Sequence, residues 1–399
     1  MDWLTAASPE VEFCGMQGMF CQPGRFGAPS LTPGGGRTGA LHVVLSVRSA
    51  LSMHRLFAAL MFLCLSGLAA CASTGQVTHP QGAYRLECAG PVPGLPCERN
   101  FTVDRFGRRI EFYLYIPEAA KATPLPLVVF IQGSGCRSLF GKDPKTGQIL
   151  DFSGHSVIPE ALGGRAVTMV VEKPTVKFLD PDAGEAPPPE SFSKEHTLER
   201  WSEAVVAAVR AARESPVVDG RKVLVVGHSE GGLVASKVAH DLPGVVTHVA
   251  CAAGGGPTFL FDILSLARSG AYFGEVSDKP QERVRWVLDE WRKIETDPTS
   301  TKKHFFGHSY RYWSSFLSSS PMEWLATVDA RIYIAQGTED NAVDPVSADI
   351  LYADLVVRGK QVVYDRVEGA DHSFGFKDNT RQHGWPELHK RIVEWFLGP

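Results

Sequence analysis

A serine that attacks a carbonyl carbon must be exposed. It also needs a base to take its proton and donors for the oxyanion that forms. Residues 225–232 read Val-Val-Gly-His-Ser-Glu-Gly-Gly. The apolar run Val223–Val226 precedes Gly227-His228-Ser229-Glu230-Gly231, and a helical pattern from Glu230 to His240 follows. Gly-x-Ser-x-Gly at a strand-to-helix turn holds the hydroxyl out on a sharp, strained bend. Gly227 and Gly231 remove the Cβ atoms that would crowd that bend. The helix starting after Ser229 aims its free N–H groups and positive end at the place where negative charge would form, with the Glu230 N–H as first oxyanion donor. The bare pattern is common, and its placement gives it weight. The bland alternative is a tight turn with an incidental serine.

A base is offered by His372, in Glu368-Gly-Ala-Asp-His-Ser-Phe374 just after the last predicted strand. His228 lies inside the turn itself, and His304 and His308 lie in an insertion, so their contexts are weaker. A carboxylate must fix the imidazole tautomer and stabilise its charged form. Asp340, in Gly337-Thr-Glu-Asp-Asn-Ala-Val343 after the penultimate strand, is the assignment, with Glu339 as runner-up. Asp371 adjoins His372 too closely in the chain to reach its far nitrogen. A second oxyanion donor is expected from Ile131-Gln-Gly-Ser-Gly-Cys136. The Ser134 N–H is the first candidate, with Gly133 or Gly135 as alternatives. An ordinary Gly-rich loop is the bland reading.

The elements around these loops follow from periodicity. Phe101–Val103 and Arg109–Ile116 read as strands, the second alternating as a half-buried strand does. Leu127–Ile131, Ala166–Val171 and Val223–Val226 are continuous apolar runs, as strands covered on both faces require. Val246–Cys251, Ile332–Ala335 and Val362–Tyr364 continue the series. A helix is predicted over 198–213, with Leu198, Trp201, Val205 and Val209 on one stripe, and others near 345–358 and 386–397. Strands alternating with helices imply right-handed crossovers and a mostly parallel α/β sheet, with one antiparallel hairpin at the start. The stretch 254–330 breaks the alternation. It carries a helical stripe (Val284, Val287, Leu288, Trp291, Ile294) and the aromatic run Tyr310–Trp313, and reads as a helical cap on a domain spanning 99–399.

From about residue 100 the chain resembles the α/β-hydrolase superfamily: the serine turn, the Asp340 loop and the His372 loop come in that family's order and placement. The resemblance implies an α/β-hydrolase fold and an acyl-transfer mechanism that needs no cofactor or metal. Pro216-Val-Val-Asp219 before the Ser229 strand, with Gly-His-Ser-Glu-Gly-Gly, is similar to the dienelactone-hydrolase and prolyl-oligopeptidase-like branches. The chain departs from both. Dienelactone hydrolases use a cysteine where this chain has Ser229, and there is no room here for a propeller domain. Gln132 stands where lipases and esterases often carry a histidine. The function expected is hydrolysis of a carboxylic ester in a small acyl substrate. The alternatives are a serine peptidase or amidase, and a non-catalytic lipoprotein that binds in the envelope.

Upstream lies a targeting signal. Met53-His-Arg55, an apolar run to Leu65 and Leu68-Ala-Ala-Cys71 describe a signal peptide over 53–70. Leu68–Cys71 resembles the bacterial lipobox, which implies lipidation of Cys71 and a lipid-anchored protein of the cell envelope. Ala72-Ser73 lacks an inner-membrane retention signal and favours the outer membrane. Residues 1–52, rich in Gly and Pro, are read as an extension from a start assigned too early, and 71–98 as a tether. Export would favour a Cys88–Cys97 disulfide, the alternative being two free thiols. A net charge of −4 without a clustered basic face argues against nucleic acid. A composition 44% hydrophobic and 21% charged argues against long-range disorder.

Overall fold

The computed structural model describes residues 84–180, 188–377 and 384–399. The expected signal peptide, Cys71 and the tether up to residue 83 lie outside these residues. Strands β1 (Glu87–Pro91), β2 (Glu98–Val103) and β3 (Arg109–Tyr115) form an antiparallel meander. β4 (Leu125–Ile131) enters the centre of the sheet, and the short strands β5 (Phe140–Lys142) and β6 (Ile149–Asp151) pair apart from it. Helix α1 (Val157–Leu162) leads into β7 (Val167–Val171); α2 (Glu190–Glu195) and α3 (Leu198–Ala212) precede β8 (Val218–His228). Then come α4 (Glu230–Asp241) and β9 (His248–Ala252). An insertion follows, comprising α5 (Phe259–Ser269), α6 (Pro280–Thr296), the hairpin β10 (His304–Phe305) and β11 (His308–Ser309), α7 (Tyr310–Phe316) and α8 (Pro321–Thr327). β12 (Arg331–Gly337), α9 (Pro345–Val357), β13 (Val362–Val367) and α10 (Gly384–Leu397) complete the chain.

The main sheet runs β1-β2-β3-β7-β4-β8-β9-β12-β13. From β7 to β13 every pairing is parallel, and β3 meets β7 antiparallel. This is an α/β-hydrolase fold. The apolar runs lie where both faces are covered. Leu127, Val129, Val223 and Val225 pack under Trp201, Val205 and Val209 of α3 and Leu233 and Val238 of α4. Val128, Phe130, Leu224 and Val226 pack on the other face against Ile158 and Leu162 of α1 and Leu388, Ile392 and Phe396 of α10. Each large side chain so buried contributes roughly 1.5–3 kcal/mol. Thr197 fixes the start of α3, its hydroxyl accepting the Arg200 N–H at 3.3 Å. Among the described residues no helix is long and apolar enough to cross a membrane.

Two expectations need correction. The segment read as tether packs on the domain from Tyr84 onward and contributes β1, Glu87–Pro91, to the sheet. Tyr84 is buried and donates its hydroxyl to Glu203 on α3 at 3.1 Å, and β1 pairs with β2. This strand is five residues long, holds Gly90 and Pro91 and is exposed nearly throughout, so no apolar alternation marks it. Cys88 and Cys97 are free thiols. The ladder sets Cys88 opposite Asn100, while the Val92 N–H donates to the Cys97 carbonyl at 3.0 Å and closes the turn without a covalent link. Cys88 is exposed, whereas Cys97 is buried and its thiol is pushed up to about 12 by that burial.

Two buried histidines, His228 and His389, and the half-buried His308 are held neutral. Burial pushes each down to about 3, with a neighbouring histidine adding to the effect in each case. Unfolded, each titrates near 6.5. The unfolded chain therefore binds more protons below that value. The stability is complete above about pH 6.5 and is lost as pH falls from there toward 3. The unfolding free energy lost between pH 7.5 and pH 5, read from urea titrations, should be smaller in a His389→Gln variant than in the parent by an amount on the order of 2 kcal/mol; an equal loss in both would contradict the assignment of His389 as a buried neutral group.

Candidate active site

Ser229 sits between β8 and α4 with φ 57° and ψ −125°, a left-handed conformation that serine adopts only when its surroundings enforce it. The enforcement is steric. A Cβ on Gly227 would fall on the Gly231 carbonyl, and one on Gly231 would fall on the Ile131 carbonyl at the end of β4. Two backbone bonds hold the turn: the Ser229 N–H to the Ala252 carbonyl at 2.9 Å, and the Gly232 N–H to the Ser229 carbonyl at 2.8 Å.

The structure brings the three sequence-selected side chains together. His372 Nε2 lies 3.0 Å from Ser229 Oγ, and His372 Nδ1 lies 2.9 and 3.0 Å from the two oxygens of Asp340. Asp340 also accepts the N–H groups of Ala342 and Val343 at 2.8 and 2.9 Å and the Gln336 amide at 2.8 Å. Burial pushes its carboxyl up, but His372 and these N–H donors outweigh burial and hold it below the usual range. It is thus an anion poised to orient an imidazole. Glu339, the runner-up, turns outward to Lys377 at 2.8 Å. Asp371 caps its own loop through the N–H groups of Ser373 and Gly375, at 2.9 and 2.8 Å.

The 131–136 loop lies alongside. Ser134 and Glu230 line one pocket with Ser229 and His372. A Cβ on Gly133 would sit 3.3 Å from that of Ser229, so the two backbones nearly touch. The pocket is roofed by insertion residues: Phe259, Ile263, Tyr272, Phe306, Tyr312 and Trp313. The arrangement offers a polarised hydroxyl, a base, and backbone donors beside an apolar cavity. That set suits addition to a carbonyl carbon. Among the described residues no cluster of three His, Cys, Asp or Glu side chains is placed to hold a metal ion.

Sequence reasoning passed over the groups that brace the site. Lys173, fully buried just past β7, donates to the carbonyls of Gly133 at 2.5 Å and Gly135 at 2.8 Å. The Gly133 carbonyl and the Ser134 N–H belong to one trans peptide and point in opposite directions. Anchoring the carbonyl on an ammonium therefore aims and polarises the N–H. Lys173 also approaches Glu230 at 3.4 Å. Glu230 further accepts from His196 at 2.9 Å and from the Tyr312 hydroxyl at 2.8 Å. Burial pushes the Glu230 carboxyl up, but His196 and Lys173 overcome it and hold the group well below the usual carboxylate range. One polar network thus reaches both backbone segments expected to face an oxyanion. Next door, Glu172 holds the far end of the loop through the Ser138 hydroxyl at 2.6 Å and the Leu139 N–H. Only the abrupt Glu172-Lys173-Pro174 after an apolar strand hinted at this. His228, set aside in the sequence, donates through Nε2 to the His372 carbonyl at 2.8 Å and ties that loop to the serine turn.

A family profile described as the alpha/beta hydrolase family matches residues 128–381. No curated protein matches the chain. Among solved structures it is similar to Est1E from Butyrivibrio proteoclasticus, with 16% identity, 76% of this chain and 98% of that one covered, and a TM-score of 0.49. It is also similar to the Pyrococcus horikoshii acylaminoacyl peptidase, with 14% identity, 76% and 41% covered, and a TM-score of 0.47. A puromycin-hydrolysing peptidase of Mycobacterium tuberculosis shows 16% identity, 76% and 39% covered, and a TM-score of 0.46. The chain thus spans about two fifths of each of these two peptidases.

The Lys173–Glu230 pair gives a direct test. Lys173→Met leaves the Glu230 carboxylate buried without its ammonium and should cost about 3–5 kcal/mol in chemical denaturation. Adding Glu230→Gln to that variant should restore part of the loss. Additive losses across the four-protein cycle would show that the two groups do not act as a pair.

Proposed function

The chain belongs to the alpha/beta hydrolase family, and from that premise we propose that it is a serine hydrolase of carboxylic esters. Ser229 Oγ attacks the acyl carbon while His372 Nε2 takes its proton. Asp340 holds the Nδ1 proton and stabilises the imidazolium. The Glu230 and Ser134 N–H groups receive the oxyanion, with Gly133 supplying the close approach. His372 returns the proton to the leaving alcohol, leaving an acyl-enzyme on Ser229. Water, activated by the same imidazole, then releases the acid. No cofactor or metal takes part. The observation that carries this reading is the unbroken relay from Ser229 Oγ through His372 to Asp340, at 3.0 and 2.9 Å.

An ester of a small acyl group suits the pocket better than an extended peptide. Peptides commonly bind by pairing with a strand edge. The residues around this pocket come from helices and loops, and the one exception, His308, belongs to a two-residue strand.

Ser229→Ala should lower turnover of a p-nitrophenyl acyl ester by a factor on the order of 10⁶ with an unchanged melting curve. A fluorophosphonate probe should label the wild-type chain and not this variant. Retained turnover, or a wild type that takes no label, would overturn the hydrolase reading, and the second result would favour a binding protein on a hydrolase scaffold. A matched ester and amide of one acyl group separates the two bond types; faster amide cleavage would assign the chain as a peptidase or amidase instead.

We further propose that the chain is exported and anchored to the outer membrane through lipidated Cys71, on the strength of the Leu68–Cys71 motif and the apolar run before it. Metabolic labelling with a fatty-acid analogue in a bacterial host should mark the chain, and Cys71→Ala should abolish the label. Equal labelling of both proteins would exclude Cys71 as the anchor.

A further inference from the structure

The pocket beside Ser229 contains an acid that the proposed chemistry does not use. Asp262, on α5, lines it together with Phe259, Tyr272, Phe306 and Trp313, and is only 1% exposed. Its Oδ1 accepts the Ser347 hydroxyl from the first turn of α9. That contact has a mirror image three residues along: Ser265 donates to Asp344, the residue that caps α9. The two serine–aspartate bonds latch the insertion onto α9.

The latch accounts for one oxygen of Asp262 and leaves the other. Oδ2 lies over Gly255, where a Cβ would come within 2.6 Å of it, and among the described residues no hydrogen-bond donor reaches it. The charged groups whose fields reach Asp262 are Asp344 and Asp340, both acids. The other titratable groups on the pocket wall supply no free cation. Tyr272 and His308 are both kept neutral at ordinary pH by burial, His372 is bound to Asp340, and the Glu230 carboxylate is taken up by Lys173, His196 and Tyr312. A buried carboxyl oxygen without a partner is unfavourable until something donates to it. The surrounding wall is aromatic, and ring faces attract cations.

We propose that this pocket binds a protonated amine, so that the preferred substrates are acyl compounds carrying an ammonium group held by Asp262 Oδ2 among the Phe259, Tyr272, Phe306 and Trp313 rings. The word substrate rests on the hydrolase reading; the amine site rests on its own geometry. Burial, opposed by the Ser347 bond and reinforced by Asp344 and Asp340, pushes the Asp262 carboxyl up to about 8. Ammonium binding needs the carboxylate, so affinity rises with pH through that value until the amine itself loses its proton.

The test separates the two readings. Calorimetry on the full chain carrying Ser229→Ala compares 2-phenylethylammonium with its neutral counterpart 2-phenylethanol. The ammonium should bind about tenfold tighter or better, and more tightly at pH 8.5 than at pH 6.5. Asp262→Asn keeps an acceptor for Ser347 but removes the charge, and should erase the preference. Ser347→Ala breaks the latch bond yet keeps the carboxylate, and should retain it. Equal affinities, or a preference that survives Asp262→Asn, would overturn the amine site. With Ser229 intact, p-nitrophenyl esters of an amino acid should exceed their N-acetyl counterparts about tenfold in kcat/KM. Turnover of neutral esters with no ammonium preference would remove the amine site and leave the hydrolase. Ammonium binding without turnover of any ester would do the reverse.

Discussion

Where β8 runs into α4, three backbones converge so closely that side chains are excluded on either side of Ser229. Gly227 abuts the Gly231 carbonyl, Gly231 abuts the end of β4, and Gly232 abuts Gly254 after β9. The chain resolves this crowding by forcing Ser229 into positive φ. The cost, on the order of 1–3 kcal/mol, is offset by the apolar packing of β8 and α4 into the sheet. Rigidity here has a chemical use: a hydroxyl on a turn that cannot relax keeps its distance to His372 without help from substrate.

The rest of the site is arranged around that fixed point. β12 and β13 are parallel neighbours, so the loops leaving their carboxyl ends emerge side by side, and Asp340 and His372 need only short reaches to meet. His228 draws the His372 loop inward from beneath, and Lys173 draws the 133–135 loop inward from the other side. Both are polar groups at depth, and both hold backbone carbonyls. Desolvation makes such groups expensive unless fully bonded, and here it turns loops into fixtures.

Much of this was legible in the sequence, and unevenly so. The long apolar runs Leu127–Ile131 and Val223–Val226 announced central strands, because a strand covered on both faces has no polar positions to spare. Ser229 could be selected because it follows such a run directly, and Asp340 and His372 because they lie in the loops after the last two strands, in that order. β1 escaped notice because a five-residue edge strand that is exposed nearly throughout carries no apolar alternation. Cys88 and Cys97 were misjudged because spacing says how far apart two residues are along the chain and nothing about which ladder rung each occupies. Lys173, faintly signalled, and Asp262, not signalled at all, escaped for a different reason. A lone charged residue is nearly always a surface residue, and only three-dimensional placement reveals that these two face inward.

The insertion has a further consequence. It leaves the sheet after β9 and returns at β12, and these strands are hydrogen-bonded neighbours. The pair is parallel, so the chain exits at the carboxyl end of β9, beside the relay, and re-enters at the amino end of β12, four rungs or ~13 Å away along the strands. A segment so bracketed can be lengthened or exchanged without altering the register of those strands, provided it still carries the chain back along the sheet. Related chains could thus inherit one reaction and acquire different selectivities by recombination at this junction, with the serine–aspartate latch to α9 as the docking point a transplanted roof would have to reproduce.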